Sequence, residues 1–141
     1  MMYQPYEIAG ADRPARFLVS CDHATNTVPD FVNGGTLGLG ARDMARHIAY
    51  DVGAAGVARA LAQALDGPAI LTNFSRLVID PNRGEDDPTL VMKLYDGTVI
   101  PANRHVDAAD MAHRLNRLYR PYHTAFAELA ARRDDTVIVS I

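Results

Sequence analysis

The sequence contains no tryptophan, a single cysteine, Cys21, and a single lysine, Lys93. One cysteine excludes a disulfide within the chain and a metal site built only from cysteines. No run approaches the roughly 18 to 20 apolar residues that a membrane helix needs, and residues 1–7 have neither the basic region nor the apolar stretch of a signal peptide. The sequence therefore predicts a cytoplasmic protein that does not cross a membrane.

Positive charge is also scarce, since 14 Lys and Arg residues stand against 17 Asp and Glu residues, for a formal net charge of -3. No basic face is available for a phosphate backbone, so nucleic acid is excluded as a partner. Almost every cation is an arginine, whose rigid guanidinium suits fixed contacts with carboxylates. A GC-rich genome would give the same arginine bias.

What remains is the composition of a soluble globular domain, with 48% apolar and 22% charged residues in a chain of 141. No internal repeat, low-complexity tract or linker divides it, so residues 1–141 are expected to form part of a single domain.

The hydrophobic pattern predicts an α/β fold with a mostly parallel or mixed sheet flanked by helices. Residues 1–15 are expected to be a polar arm and residues 84–105 a long loop of the kind that is usually functional. The predicted strands are 16–21, 68–72, 77–79 and 136–141, and the predicted helices are 41–65, weakened by Gly53 and Gly56, and 107–133, capped by Asp107 and kinked by Pro121. The last strand reads as a buried parallel one with nothing after it, which predicts a chain truncated after a core strand.

Polar side chains follow the first strand, where α/β proteins build their sites. His23 is flanked by Asp22 and Asn26, and it could act as a metal ligand or a general base. The competing interpretation is a hydrogen-bonded structural histidine. Cys21 and His23 could also form a thiolate–imidazolium pair, although a buried cysteine is more often a small apolar residue.

A second cluster of polar residues flanks the apolar run 77–79. Arg76, Asn82 and Arg83 place two guanidinium groups and a carboxamide where a carboxylate clamp could form, and Asp80 could orient one of the guanidinium groups. Surface ion pairs with the acidic residues 85–87 are the alternative. Asp51 falls near the apolar face of the first predicted helix, where a buried carboxylate needs a partner.

The remaining histidines, His47, His105, His113 and His123, have no spacing typical of metal ligands. His113 and His123 are expected at exposed or rim positions of the last helix.

Four ordered blocks of sequence, residues 21–29, 45–57, 75–83 and 86–88, resemble the N-formylglutamate amidohydrolase family. The resemblance implies a fold similar to that of zinc carboxypeptidases and aspartoacylases, of the phosphorylase/hydrolase-like type. It implies hydrolysis of an N-acyl amino acid such as N-formylglutamate, in the context of histidine degradation, with Zn²⁺ as cofactor and a small acyl amino acid as substrate.

The same resemblance assigns roles to residues. His23 matches a zinc ligand, Asn26 stands where the related enzymes have a glutamate ligand, and Asn82 with Arg83 matches the pair that holds the substrate carboxylate, with Arg76 as a further substrate arginine. Asp22, Asp51 and Asp80 are expected to support these groups, and Asp22 could replace Asn26 at the metal. A second histidine ligand and the general base would lie beyond Ile141.

Two alternatives stay open. Asn26 is a poor zinc ligand, so the chain could instead be a non-catalytic fragment or a degenerate carboxylate-binding module of the same fold. A cysteine amidase that uses Cys21 and His23 is the other alternative.

Overall fold

The computed structural model describes residues 2–141, which form a four-stranded mixed sheet between helices. The strands are β1 (Tyr6–Ala9), β2 (Phe17–Cys21), β3 (Ala69–Thr72), β4 (Leu94–Tyr95), β5 (Thr98–Val99) and β6 (Val137–Ser140). β4 and β5 form a separate hairpin, and the other four strands form the sheet in the order β1-β3-β2-β6. In this sheet β2 is parallel to β3 and β6, and β1 is antiparallel to β3.

The helices are α1 (Ala41–Met44), α2 (Ala54–Ala64), α3 (Ala108–Arg114) and α4 (Arg120–Ala130). A π-helical segment, Leu115–Tyr119, joins α3 to α4. Two short 3₁₀ turns lie at Asn33–Gly35 and Pro101–Asn103. Among residues 2–141, no helix is long and apolar enough to cross a membrane.

Apolar side chains lie on both faces of the sheet, so β2 and β3 are buried in the centre. On one face Leu18 and Ile70 belong to a large core with Tyr122 and Leu129 of α4. On the other face the neighbouring strand residues pack against α2, in a smaller core made of Val19, Cys21, Ala58, Ala62, Ala69 and Leu71. Alternate strand residues point to opposite faces, so each face can bury its own core. The predicted α/β fold with a mixed sheet flanked by helices is confirmed.

The turn after α2 brings its end directly against β2. Asp66 has a left-handed backbone with φ of 53°, and the Gly67 N–H donates to the Ala62 carbonyl over 3.0 Å. This is the helix-ending pattern in which a left-handed residue lets the chain satisfy the last carbonyls. A Cβ at Gly67 would lie 2.1 Å from the Phe17 carbonyl oxygen, so only glycine fits between the helix end and the strand.

The prediction of one helix over residues 41–65 is wrong, because α1 ends at Met44 and α2 begins only at Ala54. The Asn26 side chain donates to the Met44 carbonyl over 2.8 Å, and Gly53 adopts a left-handed φ of 84° before α2. Between them the Asp51 N–H donates to the His23 carbonyl over 2.9 Å. Asp51 therefore lies in a loop that reaches the end of β2, and not on a helix face.

The predicted strand 77–79 is also wrong, although all three residues are fully buried. The Leu77 carbonyl accepts a hydrogen bond from Asn103 Nδ2 (2.7 Å), and the Val78 carbonyl accepts one from Arg114 Nη1 (2.8 Å). Side chains from distant segments thus satisfy a buried backbone that no strand pairs with.

Two other regions hold strands that the pattern did not predict. The expected polar arm contains β1, and the expected loop contains the β4–β5 hairpin. The last strand pairs in parallel with β2 as predicted, but it lies at the edge of the sheet, where Val137 is 39% and Ile138 50% exposed.

The last helical region follows the prediction more closely. Asp107 caps α3 by accepting the Asp110 N–H over 2.8 Å. The helix departs from α geometry in the turn before Pro121, which has no N–H to donate. It ends at Ala130, three residues before the predicted limit.

Candidate active site

His23 lies between two carboxylates contributed by different segments. Its Nδ1 is 3.2 Å from Asp51 Oδ2, and its Nε2 is 2.7 Å from Asp80 Oδ1. The imidazole is 6% exposed, because it follows β2 directly into the interior. Carboxylates only accept hydrogen bonds, so a doubly protonated ring satisfies both partners at once.

Asp80 is the centre of this arrangement, and its side chain is 1% exposed. Arg76 Nη2 lies 3.4 Å and Arg83 Nε 3.2 Å from Asp80 Oδ2. The backbone N–H of Asn82 donates to Oδ1 over 3.0 Å. The buried carboxylate therefore meets three cationic side chains and a backbone donor, which is the pairing that a buried charge requires.

Arg76 links the two carboxylates around His23. Its Nη1 is 3.2 Å from Asp51 Oδ1, while Nη2 faces Asp80. The guanidinium also lies 5.4 Å from the ring centre of Tyr95 in β4, so the hairpin packs against it. Arg76 Nε is buried and finds no hydrogen-bond acceptor among residues 2–141.

These contacts move the pKa values of the central pair in opposite directions. Burial opposes protonation of His23, but the hydrogen bond and negative charge of Asp80 outweigh it and raise the pKa of His23 above its ordinary value. Burial would raise the pKa of Asp80, yet hydrogen bonds from His23 and from the Asn82 N–H hold that pKa below its ordinary value. The pair is therefore stabilised as an imidazolium and a carboxylate.

The structure brings together five of the residues singled out in the sequence: His23, Asp51, Arg76, Asp80 and Arg83. Asn26 donates to the Met44 carbonyl, and no hydrogen bond joins it to His23 within residues 2–141. Asp22 accepts a hydrogen bond from the Tyr122 hydroxyl over 2.6 Å. Asn82 is exposed, and its side chain makes no hydrogen bond to the described residues.

Cys21 is fully buried in the smaller core beneath this site. Burial raises the pKa of the Cys21 thiol to about 11, so few molecules carry a thiolate at neutral pH. The geometry gives no support to a nucleophilic cysteine.

The side chains that meet at His23 do not form a zinc site among the described residues. Within residues 2–141, no three His, Cys, Asp or Glu side chains are arranged to hold a metal. Both ring nitrogens of His23 already face carboxylates, and Asp80 is also held by two arginines. Because zinc sites take three or four protein ligands, the described residues do not fit zinc by themselves.

The sequence analysis did not identify the contacts that Tyr119, at the end of the π-helical segment, and His123 of α4 make beside Arg83. His123 Nε2 lies 3.0 Å from the Pro81 carbonyl, and the Tyr119 hydroxyl donates to the Arg83 carbonyl over 2.6 Å. A carbonyl only accepts, so Nε2 of His123 carries the proton. Tyr119 and His123 are four residues apart on one helical face, which is the signal that could have identified them as a pair.

Comparisons with known proteins give a consistent result. The model of the N-formylglutamate amidohydrolase family matches residues 15–141. A search of the curated proteins gives no match. A solved structure of a gene product from Agrobacterium tumefaciens is 33% identical with a TM-score of 0.93, over 98% of this chain and 56% of that one.

A solved N-formylglutamate amidohydrolase from Ralstonia eutropha has the same fold, with 20% identity and a TM-score of 0.72, over 96% of this chain and 56% of that one. The chain thus spans 56% of the length of both solved structures. Because the family model matches residues 15–141, which are most of this chain, the chain belongs to the N-formylglutamate amidohydrolase family.

Proposed function

We propose that the complete protein hydrolyses the amide of an N-formyl amino acid such as N-formylglutamate, giving the free amino acid and formate. The observation that carries the proposal is that the buried Asp80 carboxylate holds Arg83 through Nε and Asn82 through its backbone N–H, so that two adjacent residues with side-chain donors are fixed in place. Water would add to the formyl carbon, the C–N bond would break, and the amine would take up the proton. The family and the Ralstonia eutropha protein support the same reaction.

The clamp keeps donors free for an anionic substrate. Arg83 uses Nε for Asp80 and Nη1 for Thr89. Its Nη2 and the side-chain amide of Asn82 have no hydrogen bond to residues 2–141. Guanidinium and carboxamide donors on adjacent residues suit a carboxylate, which accepts two bonds in one plane.

His23 and Arg76 would present a fixed polar surface to the scissile amide. Asp51 and Asp80 hold the imidazole from both sides, and the same two carboxylates hold Arg76. Side chains held by their neighbours lose little conformational entropy when substrate binds. More of the binding free energy can therefore position the substrate for reaction.

Zinc is a separate part of the proposal and concerns the complete protein. His23 would be a ligand through a ring nitrogen that has given up its proton and its contact with a carboxylate. Asn26 or Asp22 stays the candidate for a second ligand, with other ligands supplied outside residues 2–141. When bound, zinc lowers the pKa of its water and polarises a carbonyl.

The first test of this part replaces His23. In the full-length protein, His23→Ala is expected to abolish stoichiometric zinc, because loss of a metal ligand removes most of the affinity. Elemental analysis of the purified protein measures it. His105→Ala, at an exposed histidine outside the site, is the matched control and should keep wild-type zinc. Full zinc in His23→Ala would remove His23 from the ligand set.

The clamp is tested by Arg83→Lys, which keeps the positive charge but loses the planar guanidinium group with its parallel N–H donors. Loss of a desolvated charge-assisted contact costs about 2 kcal/mol or more, or about 30-fold in kcat/KM. We expect this loss with N-formyl amino acids but not with the corresponding N-formyl amino acid amides. Arg104→Lys, at an exposed arginine, should behave as wild type. Equal losses on both substrates would contradict the assignment.

A second candidate function is a carboxylate-binding module without catalysis. The observation in its favour is that residues 2–141 contain no group of three potential metal ligands, together with Asn26 in the place of a glutamate. Saturable binding of N-formylglutamate by a metal-loaded full-length protein that releases no formate would favour this candidate.

A further inference from the structure

Arg114, the last residue of α3, is a buried arginine whose hydrogen bonds go to uncharged acceptors, and Asp110, one turn earlier, acts on it only through its charge among the described residues. It is 5% exposed, and its Nη1 donates to the Val78 carbonyl over 2.8 Å and to Asn103 Oδ1 over 2.7 Å. Both acceptors are uncharged, and no carboxylate within residues 2–141 forms an ion pair with it. A buried charge costs free energy unless a partner compensates it.

One side of this arginine opens into a cavity of about 320 Å³ between the helix and the preceding loops. Arg117 lies on the same wall, with its guanidinium carbon 3.8 Å from the ring centre of Phe31 on the opposite wall. The lining residues are Phe31, Val32, Asn33, Ala102, Asp110, His113, Arg114 and Arg117. Two guanidinium groups therefore face a cavity that contains a single carboxylate, that of Asp110.

The guanidinium donors that face this cavity are not used by the protein. No hydrogen bond to residues 2–141 involves Nε or Nη2 of Arg114, or any nitrogen of Arg117. Among the described residues, Arg76 Nε is the one side-chain polar atom that is both fully buried and unbonded. The free nitrogens of Arg114 therefore reach open space, and that space is the cavity they line.

The helix itself changes geometry at this place. The π-helical segment Leu115–Tyr119 begins directly after Arg114 and includes Arg117. π-Helical turns are rare and occur frequently at functional sites, because the wider turn shifts the side chains that follow it. The π-helical turn precedes Pro121, which has no N–H to donate, and it places Arg117 on the wall next to Arg114.

We propose that this cavity binds a small oxyanion, a phosphate or carboxylate group, between Arg114 and Arg117. Planar guanidinium groups with parallel N–H donors match the geometry of both kinds of anion. The bound anion would compensate the charge of Arg114. None of the lining residues belongs to the cluster around His23 and Asp80, so this is a site distinct from the amide-hydrolysing one.

Isothermal titration of the full-length protein at constant ionic strength tests the proposal, with inorganic phosphate and succinate as separate probes. Arg114 variants can fail to fold, because Nη1 holds buried carbonyls, so Arg117→Ala is the test variant. We expect it to bind the preferred anion about tenfold more weakly, or about 1.4 kcal/mol. Arg42→Ala, at an exposed arginine on α1, should keep wild-type affinity.

The two probes distinguish the sources of the anion. Binding of phosphate alone assigns the cavity to phosphate groups, binding of succinate alone assigns it to carboxylates, and binding of both, each weakened by Arg117→Ala, assigns a general oxyanion site. No saturable heat from either probe would overturn the proposal. Weakening by Arg42→Ala to the same extent as by Arg117→Ala would also overturn it, whatever the outcome for amide hydrolysis.

Discussion

Replacing Asp80 by alanine is expected to lower the free energy of unfolding by about 3–5 kcal/mol, since it removes one partner of a buried ionic cluster. Asp80 is 1% exposed, and its carboxylate accepts hydrogen bonds from the side chains of His23, Arg76 and Arg83 and from the Asn82 backbone N–H. Without it, the side chains of His23, Arg76 and Arg83 are left without their central acceptor. Chemical denaturation followed by circular dichroism measures the loss.

Two further variants isolate the charge. Asp80→Asn keeps the volume and one acceptor oxygen, so its loss should be smaller than that of the alanine variant. Asp135→Ala removes an exposed carboxylate that pairs only with Arg133 at the surface, and it should unfold close to wild type. If Asp80→Ala unfolded within about 1 kcal/mol of wild type, the cluster would not stabilise the fold in the way that its burial implies.

The second large effect concerns the contact between the end of α2 and β2. Gly67→Ala places a Cβ 2.1 Å from the carbonyl oxygen and 3.0 Å from the carbonyl carbon of Phe17. These are backbone atoms of a central strand, so no rotamer change relieves the clash. We expect a loss of about 3 kcal/mol in the free energy of unfolding, at the upper end for overpacking. Thermal and chemical denaturation should agree on it.

Gly56→Ala is the matched control for this variant. Gly56 lies in α2, and a Cβ there would meet no atom within 4 Å. Alanine is about 1 kcal/mol better than glycine inside a helix, so this variant should be more stable than wild type. The same chemical change is thus expected to have opposite signs at two glycines. A destabilised Gly56→Ala, or a neutral Gly67→Ala, would contradict the described packing.

The sequence pattern predicted the elements whose burial follows a simple period. The strands at 16–21 and 68–72 and the helix that starts after Asp107 are confirmed within a few residues. The run 77–79 has the same apolar character, and no local signal separates it from a strand. Its conformation depends on Asn103 and Arg114, whose side chains take its carbonyls, and this pairing across the chain is invisible to periodicity.

In the candidate site, too, the sequence pattern could identify some residues but not all of their contacts. His23 could be singled out because polar residues that follow a strand gather at the edge of a sheet. Arg76, Asp80, Asn82 and Arg83 could be singled out because they flank the apolar run 77–79, although that run is not a strand. The contact of Asp51 with His23 could not be derived, because the pattern placed it on a helix that the loop at residues 45–53 replaces. The roles of individual residues stay predictions, since contacts alone do not identify a ligand or a base.

The pairing of β2 also has a kinetic consequence. Phe17 pairs with Val137, so one neighbour of the central strand comes from the far end of the described chain. Pairings between residues so distant in sequence slow folding, because the entropy of closing the intervening loop is lost before the contact is gained. During synthesis, one edge of β2 therefore stays open until residue 137 has left the ribosome. Over that interval, we expect aggregation to be governed by exposure of that edge, and a chaperone that covers apolar strands should raise the folded yield.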